Sequence, residues 1–264
     1  MAAKYDQIAS KIRAMIRDGA PGYTPGSRLE GENKLAADYK VSVPTFRRAI
    51  EMLKNEGLID TEHGRGTFVR APRRPVERRN DRHQWEKDRA RASEAERLKT
   101  GATEKDTGLT INDLVFHAEY EEIDAGADIA GVFGVPVGTR VLHRNYQTRH
   151  HDEDTPFNVS DSYLLVETVA GNPDLLDAEQ EPWPGGTQNQ LWTVGIEVDR
   201  VEETFTARPP TAEETERLGI RPGVAVLALR KVLIDTSDRV VEFSDVILPG
   251  DRTKMIYTTQ LTRW

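Results

Sequence analysis

The sequence predicts an α+β chain in two unequal parts: a small helical domain closed by a hairpin, then a larger antiparallel-sheet domain. Three observations carry this. Apolar residues recur at three- and four-residue spacing up to about residue 55, strand-like alternation dominates from about residue 112, and charge divides between the halves. The chain has 264 residues and a net charge of -8. Residues 1 to 105 hold 23 Lys and Arg against 16 Asp and Glu, a surplus of +7; residues 106 to 264 hold 13 against 28, or -15. A basic part joined to an acidic part suggests one module that meets phosphate and one that does not.

In the first part, Ile8, Ala9, Ile12, Met15 and Ile16 form one face of a helix from Tyr5 to Ile16, ended by Gly19-Ala20-Pro21-Gly22. A second, short helix carries Leu35, Ala36 and Tyr39, with Glu32 near its start. After the Lys40-Val41-Ser42 turn, Ser42 can N-cap a third helix that has Pro44 in its first turn and runs to about Asn55. Phe46, Ala49, Ile50 and Leu53 give it a buried stripe and leave Thr45, Arg47, Arg48 and Lys54 on other faces. Gly57 stops it. Leu58-Ile59 and Thr67-Phe68-Val69, separated by His63-Gly64-Arg65-Gly66, read as a hairpin. This order is that of a winged helix-turn-helix, whose second paired helix enters the major groove.

Residues 71 to 110 have few apolar residues and interleaved charges, the composition of a solvated linker. Helix formers between Gln84 and Lys99, with Trp85, Ala92, Ala95 and Leu98 for packing, predict a linker helix. The expected domains are therefore 1 to 70, a linker at 71 to 110, and 111 to 264.

In the last of these, strands are expected at Asp113 to Ile123, Arg140 to Arg149, Asn158 to Leu164, Glu197 to Arg208, Val224 to Ile234, Val240 to Leu248 and Lys254 to Thr262. Helices are expected at Ala127 to Phe133, Leu165 to Ala170, Thr187 to Val194 and Thr211 to Leu218. Ser237-Asp238 implies a hairpin turn. Phe133-Gly134-Val135-Pro136-Val137-Gly138 and Leu218-Gly219-Ile220-Arg221-Pro222-Gly223 echo each other, which suggests a pseudo-repeat of helix, loop and strand.

Several function classes are disfavoured. There are no cysteines, hence no disulfide, thiol nucleophile or zinc-finger chemistry. No secretory leader and no run of about 18 apolar residues is seen, so a soluble cytoplasmic protein with no membrane partner is expected. No G-x-S-x-G, H-E-x-x-H or phosphate-loop pattern occurs, and no catalytic residue, metal site or cofactor is expected. His150 to Asp154 falls at a turn before Thr155-Pro156, with no second ligand cluster foreseen beside it.

The segment from Tyr5 to Val69 resembles the DNA-binding domain of GntR-family regulators. The shared landmarks are Tyr5 to Ile8, Pro25-Gly26-x-Arg28-Leu29, Glu32-x-x-Leu35-Ala36, Val41-Ser42, Thr45-x-Arg47-Arg48-Ala49, Glu56-Gly57-Leu58-Ile59 and Gly64 to Val69. Two positions depart: Val43 stands where the family often has an arginine that reaches guanine, and Glu30-Gly31 replaces its usual Pro-Ser. The resemblance and the helix pattern place Ser42, Val43, Thr45 and Arg47 at the major groove, Arg28 and Arg48 near phosphates, and His63, Gly64, Arg65 and Gly66 at a wing tip.

Residues 112 to 263 resemble the ligand-sensing UTRA domain of the HutC branch of that family, through the two Pro-Gly loops, Pro156 to Tyr163 and Val241-Glu242-Phe243-Ser244. The resemblance implies a chorismate-lyase-like fold and a small-molecule effector. Phosphosugar sensors of the branch hold ligand with two strand arginines and a glutamate; Tyr146, Thr148 and Ser160 occupy those positions here, so phosphosugar recognition is not expected. Candidate pocket residues are Arg144, Tyr146, Ser160, Ser162, Tyr163, Phe205, Arg208 and Glu242. The expected function is an effector-responsive regulator, a repressor, that binds double-stranded operator DNA of approximately palindromic sequence as a homodimer. The alternatives are a constitutive DNA-binding protein whose second domain only dimerises, and a lyase-like enzyme.

Overall fold

The computed structural model describes residues 3 to 263. The chain divides into two compact units: one is the chain up to Arg73 with Ile220–Ala225, the other Arg74–Gly219 with Val226 onward. Among the described residues no helix is long and apolar enough to cross a membrane.

The first unit holds α1 (Lys4–Arg17), α2 (Glu32–Asp38) and α3 (Val43–Asn55), then the antiparallel pair β1 (Ile59–Glu62) and β2 (Gly66–Val69). The apolar spacing read from the sequence becomes a single core of Ile8, Ile12, Leu35, Phe46, Ile50, Leu53, Ile59 and Val69 with their small neighbours. Fully burying one such large side chain stabilises by roughly 1.5–3 kcal/mol. The turn before α3 uses Lys40 at φ 54°, and the Ser42 hydroxyl accepts from the Thr45 N–H at 3.4 Å, the cap expected of it. Arg28 and its neighbours add a third extended segment beside β2: Leu29 N–H donates to the Thr67 carbonyl at 2.8 Å and Val69 N–H to that of Ser27 at 2.8 Å.

In the second unit the segment expected to be a solvated linker is folded. It contains β3 (Val76–Arg79), α4 (Arg82–Ala90), α5 (Glu94–Arg97) and α6 (Ala102–Thr107), not one helix. Gly101 and the Ser93 N-cap break the run. Its charges are not all solvated: Arg78, Arg82 and Asp106 are buried, with Arg82 bonded to Asp106 and, at 3.2 Å, to Glu86. Burial and then the neighbouring Arg82 pull Arg78 down to about 10.

The sheet comprises β4 (Leu114–Asp124), β5 (Arg140–His150), β6 (Val159–Leu165), β7 (Val198–Arg208), β8 (Val226–Asp235) and β9 (Val240–Pro249), each within two residues of its expected start. β10 (Thr253–Ile256) stands apart, is shorter than expected and pairs in parallel with β3. Helices α7 (Ala127–Phe133), α8 (Val166–Val169), α9 (Gly186–Thr193) and α10 (Ala212–Leu218) fall where the pattern put them. Strand order is β4-β5-β6-β9-β8-β7, all antiparallel. The echo between the two Pro-Gly segments is therefore structural: β4-α7-β5-β6 and β7-α10-β8-β9 are two units of one pattern meeting at β6 and β9. Both helices end on a left-handed glycine, Gly134 at φ 69° and Gly219 at φ 56°.

Register assigns side chains to faces. Tyr120, Arg144, Ser162, Ser244, Lys231 and Glu203 lie opposite one another in a row across six strands, and Ala118, Tyr146, Ser160, Val246, Leu229 and Phe205 form the next row on the same face. His143, Tyr163 and Phe243 lie on the other face. α9 packs on the first face, and α4 on α9, where Asn189 donates to the Ala90 carbonyl at 2.6 Å.

Candidate DNA-reading surface and ligand pocket

In the first unit the candidate residues come from three segments. Ser42 and Arg47 are exposed, and Thr45 is half-buried with its hydroxyl 2.9 Å from that of Ser42. Arg47 donates through Nε to Glu32 at 2.7 Å, an ion pair whose side chains stay 64% and 38% exposed. An exposed pair of this kind holds the arginine in place at less than about 1 kcal/mol, so a phosphate or base edge can compete for it. Arg48 lies 4.2 Å over the Tyr5 ring, a cation–π contact that ties α3 to α1 and leaves its charge at the surface. Val43 is half-buried and packs against the core, so the departure from the family pattern has a structural role as well.

The β1–β2 turn carries His63, Gly64 and Arg65, all exposed. Arg65 pairs with Glu62 and sits 5.8 Å over the Phe68 ring. Gly66 is required by its φ of 123°, and the exposed Arg28 side chain lies beside it, a grouping that sequence spacing did not reveal.

In the second unit Arg144 is 1% exposed. Its Nη1 donates to Gln190 at 2.8 Å and its Nη2 to the Ser162 hydroxyl at 2.8 Å; Ser162 in turn donates to Glu242 Oε1 at 2.8 Å, and Lys231 Nζ stands 3.6 Å from Glu242 Oε2. The Tyr120 and Tyr146 rings lie 5.8 and 5.4 Å from the guanidinium. Their hydroxyls converge on Glu181 Oε1 at 2.5 and 2.9 Å and lie 2.8 Å apart. Gln190 also donates to that oxygen, at 2.9 Å, and Trp183 N–H to Oε2 at 2.5 Å. Burial pushes Tyr120 up to about 12 and raises Tyr146 well above the usual phenol range. For Arg144 burial works against the charge, but Tyr146, Tyr120, Glu242 and Glu181 outweigh it and keep the guanidinium ionised.

Beside this network lies a cavity of about 310 Å³ lined by Trp85, Phe116, Tyr146, Thr148, Glu181 and Trp183 among others. Its volume is that of a small-molecule site. Of the candidate pocket residues, Tyr146 lines it, and Arg144, Ser162 and Glu242 form the buried chain behind Gln190, itself a lining residue. Ser160 shares their face but does not line the cavity. Three residues stand elsewhere. Tyr163 is on the opposite face, stacked between His143 and Phe243 at 4.9 and 4.7 Å. Arg208 is gripped by Glu214 at 2.6 and 2.7 Å, and Phe205 packs against Tyr257 on the far strand. Trp85, Glu181, Trp183 and Gln190 were not foreseen as pocket residues; Trp85 was expected only to pack a linker helix, and the Glu181-Pro182-Trp183-Pro184 run, which stiffens a loop around an aromatic, is a local trace of the others.

The histidine turn also needs correcting. Asp113, immediately before β4, does stand beside it, and Asp113, His150 and His151 each place a potential ligand atom within 4.8 Å of the others. Asp113 Oδ2 accepts from the Thr110 N–H and hydroxyl, and His150 Nδ1 accepts from the Asp152 N–H.

Residues 117–254 match the family model described as the UTRA domain, and residues 4–69 match that of bacterial regulatory proteins of the gntR family. An uncharacterised HTH-type transcriptional regulator of Streptomyces coelicolor is 28% identical over 97% of this chain and 92% of its own length. The HTH-type transcriptional repressor NagR of Bacillus subtilis is 23% identical over 96% of this chain and 93% of its own. A histidine utilization repressor of Klebsiella aerogenes is 24% identical over 95% and 92%. Among solved structures, a GntR-family transcriptional regulator superposes with a TM-score of 0.65 at 26% identity, covering 98% of each chain. PhnF of Mycobacterium smegmatis, at 19% identity and a TM-score of 0.53, covers 96% of this chain and 99% of its own and shares the fold.

Proposed function

Because the chain belongs to the UTRA family and carries a gntR-type domain at residues 4–69, we propose that it is an effector-responsive transcriptional repressor that binds operator DNA. It is a regulator, not an enzyme, as are the proteins it resembles. The observation that carries the reading is the Ser42-capped α3 with Thr45 and Arg47 outward, together with a glycine-tipped hairpin bearing Arg65 and Arg28. Ser42, Val43, Thr45 and Arg47 meet the major groove, Arg28 and Arg48 meet phosphates, and His63 to Gly66 meet the adjacent minor groove. The DNA-binding domain is residues 1 to 70; residues 111 to 264 sense the effector, together with the folded segment from Arg74 that belongs to the same unit. Two copies bind an approximate palindrome, since one winged module spans only a half-site. The work is done in the cytoplasm, where the operator is.

The effector site is the cavity beside Tyr146, backed by Arg144, Ser162 and Glu242. Part of its wall, from Trp85 to Glu104, belongs to the segment that follows the DNA-binding domain in the chain and is folded into the second unit. A ligand there shifts operator affinity by binding two arrangements of the protein unequally. A constitutive DNA binder whose second domain only dimerises would have no use for such a cavity.

Fluorescence anisotropy on DNA from the chain's own promoter tests the reading. Affinity should fall steeply as salt rises, and a footprint should show two half-sites. Salt-independent binding, or none to any promoter fragment in the presence or absence of cell metabolites, would sink it.

A further inference from the structure

The turn after β5 gathers four potential metal ligands. Asp113, His150 and His151 each bring a ligand atom within 4.8 Å of the others. Asp152 lies against both rings, with Oδ1 3.2 Å from His151 Nε2 and Oδ2 3.9 Å from His150 Nδ1. The imidazoles stack with their centroids 4.3 Å apart. Two imidazolium ions would repel at that separation, so the pair favours the neutral form, the one that binds metals.

Other contacts hold these groups in place. His151 N–H donates to the Asp113 carbonyl at 3.0 Å, and the ring Nδ1 lies 3.2 Å from the same oxygen. A carbonyl only accepts, so Nδ1 carries the proton and Nε2 presents a lone pair, an orientation common in metal-binding histidines. Arg149 Nη1 reaches the carbonyls of His150, His151 and Glu153 at 3.3, 3.3 and 3.1 Å and braces the turn. Thr110 donates twice to Asp113 Oδ2, at 2.8 and 2.7 Å, which leaves Oδ1 available.

The carboxylates of this turn are not neutralised alike. Glu153 is answered by Arg252 at 2.9 Å and Arg74 at 3.5 Å. Among the described residues no lysine or arginine pairs with Asp113 or Asp152, whose basic neighbours are the two histidines. Two imidazoles with carboxylates form a donor set for a divalent transition metal such as zinc, whereas Mg2+ and Ca2+ prefer oxygen throughout. We propose that Asp113, His150, His151 and Asp152 bind one such ion, independently of what the cavity binds. The ion ties the start of β4 to the end of β5, and Ile111 and Leu114, on either side of Asp113, line the cavity, which puts the site at its rim. Ligands on opposite sides of zinc, each at roughly 2 Å, stand about 4 Å apart, so the observed 4.8 Å closes with small side-chain rotations. Ligation through His150 Nδ1 replaces its 3.1 Å hydrogen bond from the Asp152 N–H.

Calorimetric titration of untagged, EDTA-stripped full-length protein with ZnCl2 tests this. One ion per chain should bind with a Kd of about 10 μM or tighter, weaker than in a closed structural site because one side faces water. MgCl2 should give no saturable heat. His151→Ala and Asp113→Asn should each raise the zinc Kd at least tenfold, while His117→Ala, which removes the histidine 3.2 Å from Glu119 elsewhere on β4, should leave it within twofold. Zinc-edge X-ray absorption of the wild-type complex should show two imidazoles around the metal, a count that needs no variant to fold. Binding weaker than about 100 μM, the result expected if His151 is only an imidazolium paired with Asp152, would overturn the site. So would a Kd that both variants leave unchanged, a loss confined to His117→Ala, equal binding of Mg2+, or fewer than two imidazoles around the zinc.

Discussion

Arg47 on the outer side of α3 and Arg144 in the middle of β5 are the same residue in opposite surroundings. Arg47 has one exposed carboxylate partner and is otherwise in water; Arg144 is almost wholly enclosed by Gln190, Ser162 and two tyrosine rings. A surface that must read an external polyanion keeps its cations weakly held, so that leaving Glu32 for DNA costs little. A sensing interior does the reverse. Around Arg144 the guanidinium, the Ser162 hydroxyl and the Glu242 carboxylate are bonded in one chain out of water.

The largest expected effect breaks the interior. Arg144→Ala strands Glu242 and Ser162 in a dry site and empties a large side-chain volume, and it should destabilise the second unit by about 3–5 kcal/mol. Urea unfolding followed by tryptophan emission measures it; a loss below about 1 kcal/mol would mean that the chain from Gln190 to Glu242 is not held as described. On the surface, Arg47→Ala should leave the melt in place but weaken specific operator binding by about 1–3 kcal/mol, roughly five- to 150-fold. Unchanged anisotropy titrations would show that α3 does not read the groove.

Titration reports burial in both units, since burial raises Tyr39 of the first to about 12 as well. Tyr120 and Tyr163 are held up to about 12 by burial, above the ordinary phenol value of 10. Their folded-state values are raised, so their contribution is complete below pH 10 and is lost as pH climbs from 10 to 12. Tyrosinate absorbance and the unfolding midpoint of the second unit should move together in that window; a midpoint that is flat there would contradict the burial. The smallest effect sharpens the surface side. Ser42→Ala removes the α3 cap and should cost about 1 kcal/mol in the first unit, while Ser42→Gly costs only a few tenths. Equal losses in thermal melts of the two variants would show that the hydroxyl does not cap.

The same contrast decides what could be read from the sequence. In the first unit the elements follow from local signals: Ser42 precedes the helix it caps, and the hairpin announces itself by Gly64 and Gly66, whereas the contacts of Arg47 with Glu32 and of Arg48 with Tyr5 join residues distant in the chain. The strands and helices of the second unit were equally legible, because alternation and Pro-Gly punctuation are local signals. The pocket was not. Trp85, Phe116, Tyr146 and Trp183 meet from four separate stretches, and only Tyr146 was picked out for it in advance. Composition misled at 71 to 110, since Arg78, Arg82 and Asp106 are charged but neutralise one another out of solvent. It misled about charge too. Residues 1 to 73 carry 13 basic against 9 acidic groups, and the other +3 of the surplus, 10 against 7, belongs to a segment folded with the second unit. Tyr163 and Arg208 show the limit of motif reading: Tyr163 follows Ser162 directly, and in a strand that places it on the other side of the sheet.

The mirrored strand order has one more implication. Tyr146 on β5 and Leu229 on β8 occupy corresponding strands of the two halves and the same row of the same face. Around Leu229 the space is filled by Val246, Leu248, Phe205, Leu227 and Met255; around Tyr146 it is hollow. The doubled pattern thus divides the labour of one sheet: the half around Leu229 is solid, while the half around Tyr146 encloses open space.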